Sequence, residues 1–128
     1  MMHMQTFHKS EKLVSRKTIS SLFQKNKGIT CYPYKILWQK EDLNTKFPAQ
    51  ICITVPKRSF KKAHDRNYIK RKIREAYRKN KSLLYTSLQE KNINVAILLI
   101  YVGKEDMDSV ALEKKMIQLI QQLNETIA

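Results

Sequence analysis

The sequence predicts an α+β fold, a two-layer α/β sandwich with elements in the rough order αββ(β)αβα. Three observations carry this expectation. Residues 49–55 alternate strictly, with Ile51, Ile53 and Val55 on one side and Gln50, Cys52 and Thr54 on the other, as in a strand buried on one face. Residues 95–102 form an unbroken apolar run, as in a strand covered on both faces. Between them Ile69, Ile73, Ala76 and Tyr77 recur at helical intervals, the stripe of a helix docked on a core. Strands and helices in this alternation bury their apolar faces by stacking in layers.

Taken in order, residues 1–11 read as flexible chain with Phe7 as an anchor. Ser15 is a good N-cap for a first helix that runs to about Asn26, with Gly28 in the position of a C-cap glycine. Ile19, Leu22 and Phe23 keep helical spacing, Leu13 precedes them as a hydrophobic staple, and Arg16, Lys17, Lys25 and Lys27 make a basic outer side. Residues 32–40 alternate as a strand with Tyr34 and Trp38 on one face. The short linker to the strand at 49–55 favours an antiparallel pair, and Pro56, which lacks an N–H, ends that second strand. After the basic helix, Leu83, Leu84, Tyr85 and Leu88 suggest a further apolar turn or a short helical extension, and Asn92 and Asn94 bracket the turn that follows. Gly103 closes the last strand. Asp106, Asp108 or Ser109 caps a final helix whose stripe is Leu112, Met116, Leu119, Ile120, Leu123 and Ile127.

At 128 residues the chain suits one domain, 1–128. No apolar run reaches transmembrane length, and the N-terminus lacks the apolar core of a secretory signal, so neither a membrane nor export is expected. Cys31 and Cys52 show neither CxxC nor zinc-type spacing and read as free thiols in a reducing cytoplasm. His3, His8 and His64 are scattered; there is no HExxH, no cluster of carboxylates, and two glycines are too few for a phosphate loop. No catalytic residue and no metal site are expected in the protein itself. Asp65 suits the start of the central helix, where the dipole favours an anion, and Glu75 suits a neighbouring arginine.

The charge is concentrated. Residues 57–81 hold 12 of the 25 Lys and Arg residues and two acids, so they carry +10 of the chain's +14. At about 100° per residue, Asn67, Lys70, Arg71, Arg74 and Arg78 fall on one flank of the apolar stripe, with Lys72 and Lys79 on the other. The basic pairs 66/70, 70/74 and 74/78 each destabilise an isolated helix by about 0.2–0.5 kcal/mol. A polyanion that supplies the missing counter-charges explains why such crowding persists, and nucleic acid is the expected partner.

Lys57-Arg58, Lys62-Ala63-His64-Asp65-Arg66-Asn67, Ile69-Lys70-Arg71, Ile73-Arg74-Glu75 and Arg78 closely resemble the signature of the bacterial ribonuclease P protein subunit. The resemblance implies a left-handed βαβ crossover through the basic helix, where the general rule for such connections favours the right hand. It implies a monomer that binds the catalytic RNA and the 5′ leader of precursor tRNA, with hydrolysis performed by the RNA and its Mg²⁺ and no cofactor held by the protein. By position, Arg66, Asn67, Lys70, Arg71, Arg74 and Arg78 would contact RNA, and Lys57, Arg58, Lys61 and Lys62 would extend that surface. Arg16, Lys17, Ile19, Phe23 and Trp38 would border a cleft for the leader. Phe23 matches one of two aromatics the family carries four residues apart. Ile19 stands where the other would be and offers apolar contact in place of a base stack worth about 1–3 kcal/mol. A ribosomal or ribosome-associated RNA-binding protein would share the charge and layout without requiring these spacings. A helix-turn-helix DNA binder is disfavoured by the buried strand at 95–102, and a stand-alone nuclease by the missing acid–base constellation.

Overall fold

The apolar run after Asn94 becomes an interior strand of a four-stranded sheet. The structure is a computed structural model that describes residues 7–25, 28–43 and 45–127. In chain order it contains a 3-10 turn at Lys9–Glu11, then α1 (Arg16–Lys25), β1 (Gly28–Cys31), β2 (Tyr34–Lys40), β3 (Ala49–Thr54), α2 (Ala63–Lys91), β4 (Val95–Tyr101) and α3 (Ser109–Thr126). The sheet order is β1-β2-β4-β3. β2 pairs antiparallel with β1 and β4, whereas β3 runs parallel to β4.

β2 and β3 are therefore not the antiparallel pair that their short linker suggests, because β4 is inserted between them. Among these strands β4 is apolar on both faces, so the interior slot suits it best. The linker passes over the end of β4: Glu41 N donates to Asn94 O (3.0 Å) and Val95 N donates to Pro48 O (2.9 Å). Gly28 is also not a helix cap. It opens β1 without a positive φ, and a Cβ there would stand 2.4 Å from Ile36 O. Glycine is needed for the close approach of β1 to β2. Asn26 and Lys27 lie outside the described residues.

The helices divide between the two faces. Tyr34, Ile36, Ile51, Ile97, Leu99 and Tyr101 point toward α2 and α3, where Ile69, Ile73, Tyr77, Leu84, Leu112, Met116 and Leu119 complete the main core. On the opposite face Leu13 and Leu22 cover Leu37, Ala96 and Leu98. α2 is one continuous helix of 29 residues, so the apolar turn at 83–88 belongs to it, and Asn92 ends it in the left-handed conformation (φ 56°). Asp108 caps α3 by accepting from Ala111 N (2.8 Å).

Residues 7–11, expected as flexible chain, are structured. The Phe7 ring meets Tyr77 edge-on with centroids 6.0 Å apart. The Glu11 carboxylate is fully buried and accepts from Lys81 Nζ (2.5 Å), Tyr85 Oη (2.6 Å) and His8 N (2.6 Å). Burial of an acid and a lysine together is what makes the burial of either tolerable. Residues 1–6 lie outside the described residues.

Candidate nucleic-acid interface

The loop before α2 carries Lys57, Arg58, Lys61 and Lys62, all exposed. Arg66 holds this loop to the helix: its Nη1 donates to Phe60 O (2.8 Å) and Lys61 O (2.9 Å). That gives Arg66 a structural task that the sequence did not reveal. Along α2, Asn67, Arg71 and Arg74 are exposed and Lys70 is half-buried. Among the described residues no acid pairs with Lys70, Arg71 or Arg74. Arg78 differs, since it grips Glu75 through Nε (3.0 Å) and Nη2 (2.8 Å), and this hydrogen bonding holds the Glu75 carboxyl below its ordinary value. Asp65 sits in the first turn without capping it.

On the other flank of α2, Lys79 is exposed and Lys72 is tied to the chain. Lys72 Nζ bonds the Asp106 carboxylate and donates to Met107 O (2.6 Å), and it stands 4.7 Å from the centre of the Tyr68 ring. Lys81, which is counted in the basic run by sequence, is withdrawn into the pair with Glu11. Lys72 on one flank and Lys81, which by helical rotation shares the flank of Lys70 and Arg74, thus hold the fold together, while Arg71 and Arg74 present cations to solvent.

On the opposite face of the sheet β3 is left half-covered, and the strip between it and α1 is the candidate groove. α1 packs over β2 and β4. One side of it is pinned, with Thr18 Oγ1 donating to Glu41 Oε2 (2.9 Å) and Ser21 Oγ donating to Gln39 Oε1 (3.2 Å). Helical rotation places Arg16, Ile19 and Phe23 on the other side. Ile19 packs beside Cys52 and Ile100, and Phe23 is 54% exposed. Lys17 is exposed but falls toward the pinned side, so it does not share the flank of Phe23. Gln50, Cys52 and Thr54 of β3 stay half-exposed along the floor.

Trp38 does not border this groove. Side chains alternate along β2, and Tyr34 Oη donates to Leu112 O (2.9 Å) inside the helix layer, so Trp38, four residues on, packs against that same core. Lys35 and Leu37 hold the groove-side positions instead. The parity is legible in the sequence, but which parity faces α1 is not. Nor does the sequence announce the Glu11–Lys81 pair; the one available signal is an acid set among bases just ahead of the first helix.

The two surfaces meet at the edge of β3. There Leu13 N donates to Ile51 O (2.9 Å), and Arg74 lines a cavity of about 180 Å³ with Lys12, Val14 and Cys52. The basic flank of α2, the edge of β3 and the groove under α1 are therefore contiguous. Among the described residues no three His, Cys, Asp or Glu side chains converge as a metal site, and no helix is long and apolar enough to cross a membrane.

Known proteins resemble this chain in sequence and in fold. The family model described as Ribonuclease P matches residues 7–124. A ribonuclease P protein component of Porphyromonas gingivalis is 34% identical over 108 residues, covering 84% of this chain and 79% of the relative. One of Chlorobium phaeobacteroides is 32% identical over 110 residues, covering 80% and 75%. Among solved structures, the RNase P protein of Thermotoga maritima has a TM-score of 0.68 at 24% identity, over 88% of this chain and 96% of the other. That of Staphylococcus aureus has a TM-score of 0.68 at 17% identity, over 88% and 94%.

Proposed function

Given that this chain belongs to the ribonuclease P protein family, we propose that its two contiguous surfaces divide one task in the maturation of tRNA 5′ ends. The exposed flank of α2 binds the phosphates of the ribonuclease P RNA, and the groove beside α1 holds the single-stranded leader of precursor tRNA. The observation that carries this reading is the juxtaposition of Lys70, Arg71 and Arg74, unpaired with any acid among the described residues, with a groove edged by an exposed Phe23.

Arginine forks suit phosphate oxygens, and the salt dependence of binding follows from the counterions that RNA releases. An exposed phenylalanine can take a base on its face. Hydrolysis is assigned to the RNA subunit and the Mg²⁺ that it holds; the protein, one copy per particle in the cytoplasm, raises the local order of leader and RNA. In this division Arg66 positions the loop that carries Lys57, Arg58, Lys61 and Lys62, and Arg78 acts with its side chain held by Glu75. The test is reconstitution. Purified protein added to a bacterial ribonuclease P RNA at low Mg²⁺ should rescue cleavage of precursor tRNA, while protein alone should cleave nothing. Failure to rescue, or cleavage without RNA, would refute the division of labour.

A further inference from the structure

The fold withdraws Lys81 from the basic surface of α2 and lays other cations over it. The rings of Phe7 and Phe47 roof its ammonium, with centroids 5.8 and 6.0 Å away. The segments that carry those rings also bring Lys9, Lys12 and Lys46, all exposed. We propose that this roof is a further RNA-binding site, in which the stacked rings of His8 and Phe47 form a platform for one unpaired base of the ribonuclease P RNA. Lys9, Lys12 and Lys46 hold the phosphates on either side of that base. The proposal rests on the assignment of α2 to that RNA and carries the contact beyond the helix.

The platform is an open stack. The His8 and Phe47 rings lie 5.4 Å apart between centroids and 22° from parallel. His8 is exposed, Phe47 is half-buried, and among the described residues no other ring meets that of His8. The outer end of the stack is therefore free to be continued by a base. Every base has a face to offer, so such stacking tolerates any sequence. In a paired helix those faces are taken by neighbours, so the partner is a nucleotide of a loop, bulge or junction.

Charge and position select the RNA subunit. Among the described residues no acid pairs with Lys9, Lys12 or Lys46. The acid of this segment, Glu11, is fully buried and committed to Lys81 and Tyr85. Phe7 and Lys12 line the same small cavity as Arg74, so the roof continues the surface of α2. Phe7 and Phe47 pack on the core under α2 and α3, and Phe47 stands just ahead of the amino end of β3. The platform thus lies beside α2, on the helix-layer side of the sheet, apart from the strip beside α1.

The rings are held in place from below. Glu11 Oε2 accepts from His8 N (2.6 Å), Gln50 Nε2 donates to Ser10 O (3.0 Å), and Leu13 N donates to Ile51 O (2.9 Å). On the other side Val95 N donates to Pro48 O (2.9 Å), next to Phe47. The stack is formed before RNA arrives, and a held site loses little to ordering on binding.

The experiment measures binding of the full chain to a bacterial ribonuclease P RNA. His8→Ala and His8→Leu should each weaken it about tenfold, the size of one lost base stack, whereas His8→Phe should bind as wild type does. Lys46→Ala should lower the slope of log K against log salt by about 0.7–0.9. Chemical probing should find one unpaired nucleotide of that RNA protected by the wild type and open again with His8→Ala. Making that nucleotide abasic should leave wild type and His8→Ala with equal affinity. His8→Ala binding like wild type, His8→Phe binding no better than His8→Leu, or weakening confined to precursor tRNA would overturn the proposal. A wild-type protein that does not bind the RNA subunit would instead sink the assignment of α2 on which it rests.

Discussion

Lys81 lies in the densest run of positive charge in the chain, yet it is 1% exposed and bonded to a carboxylate 70 residues away. Removing an ammonium from water costs several kcal/mol, and the Glu11 carboxylate, with the Phe7, Phe47 and Tyr85 rings around the ammonium, offsets that cost here. Glu11→Ala strands the ammonium and should cost about 3–5 kcal/mol in a urea unfolding titration. Replacing both partners with apolar residues, Glu11→Leu with Lys81→Met, should recover most of it, because no charge is then buried. A Glu11→Ala protein as stable as wild type would show that the pair does not hold the N-terminal segment. The same logic of local necessity applies to Gly28, where a methyl group would meet the Ile36 carbonyl.

At the scale of an element, α2 is read by its two flanks. Arg74 is exposed beside the groove, while Lys72 is tied to Asp106 and Met107. Arg74→Ala should weaken RNA binding and lower the slope of log K against log salt by roughly 0.7, with an unchanged melting temperature. Lys72→Ala should do the reverse, costing about 1–2 kcal/mol of stability and leaving the salt slope alone. Parallel salt titrations and melts check both. Equal behaviour of the two variants would mean that Arg74 and Lys72 do not differ in role.

At the scale of the molecule, four tyrosines shape the response to alkali. Burial is the main reason that the Tyr34, Tyr77, Tyr85 and Tyr101 phenols are all pushed up, Tyr101 to about 12 and the others further. Unfolded phenols ionise near pH ~10. Above that value the unfolded chain loses protons that the folded chain keeps, so stability is full below pH ~10 and falls as the pH rises toward the folded values. The urea midpoint should therefore drop between about pH 9 and 11. High salt in the assay screens the opposing gain from neutralised lysines. A flat midpoint would contradict the burial of these hydroxyls.

Much of this architecture is local and so is legible from residue spacing. Alternation sets the two faces of β3, double-sided apolarity marks β4 as interior, and rotation by 100° separates the flanks of α2. The fixed spacings across residues 57–78 carried the family. The pairing partners of the strands, the side taken by Trp38 and the withdrawal of Lys81 are not local. Each depends on segments that meet only on folding: β4 slides between β2 and β3, Leu112 claims the Tyr34 hydroxyl, and Glu11 reaches Lys81. Periodicity tells a side chain which neighbours in its own element share its face, but the identity of what covers that face comes from far along the chain.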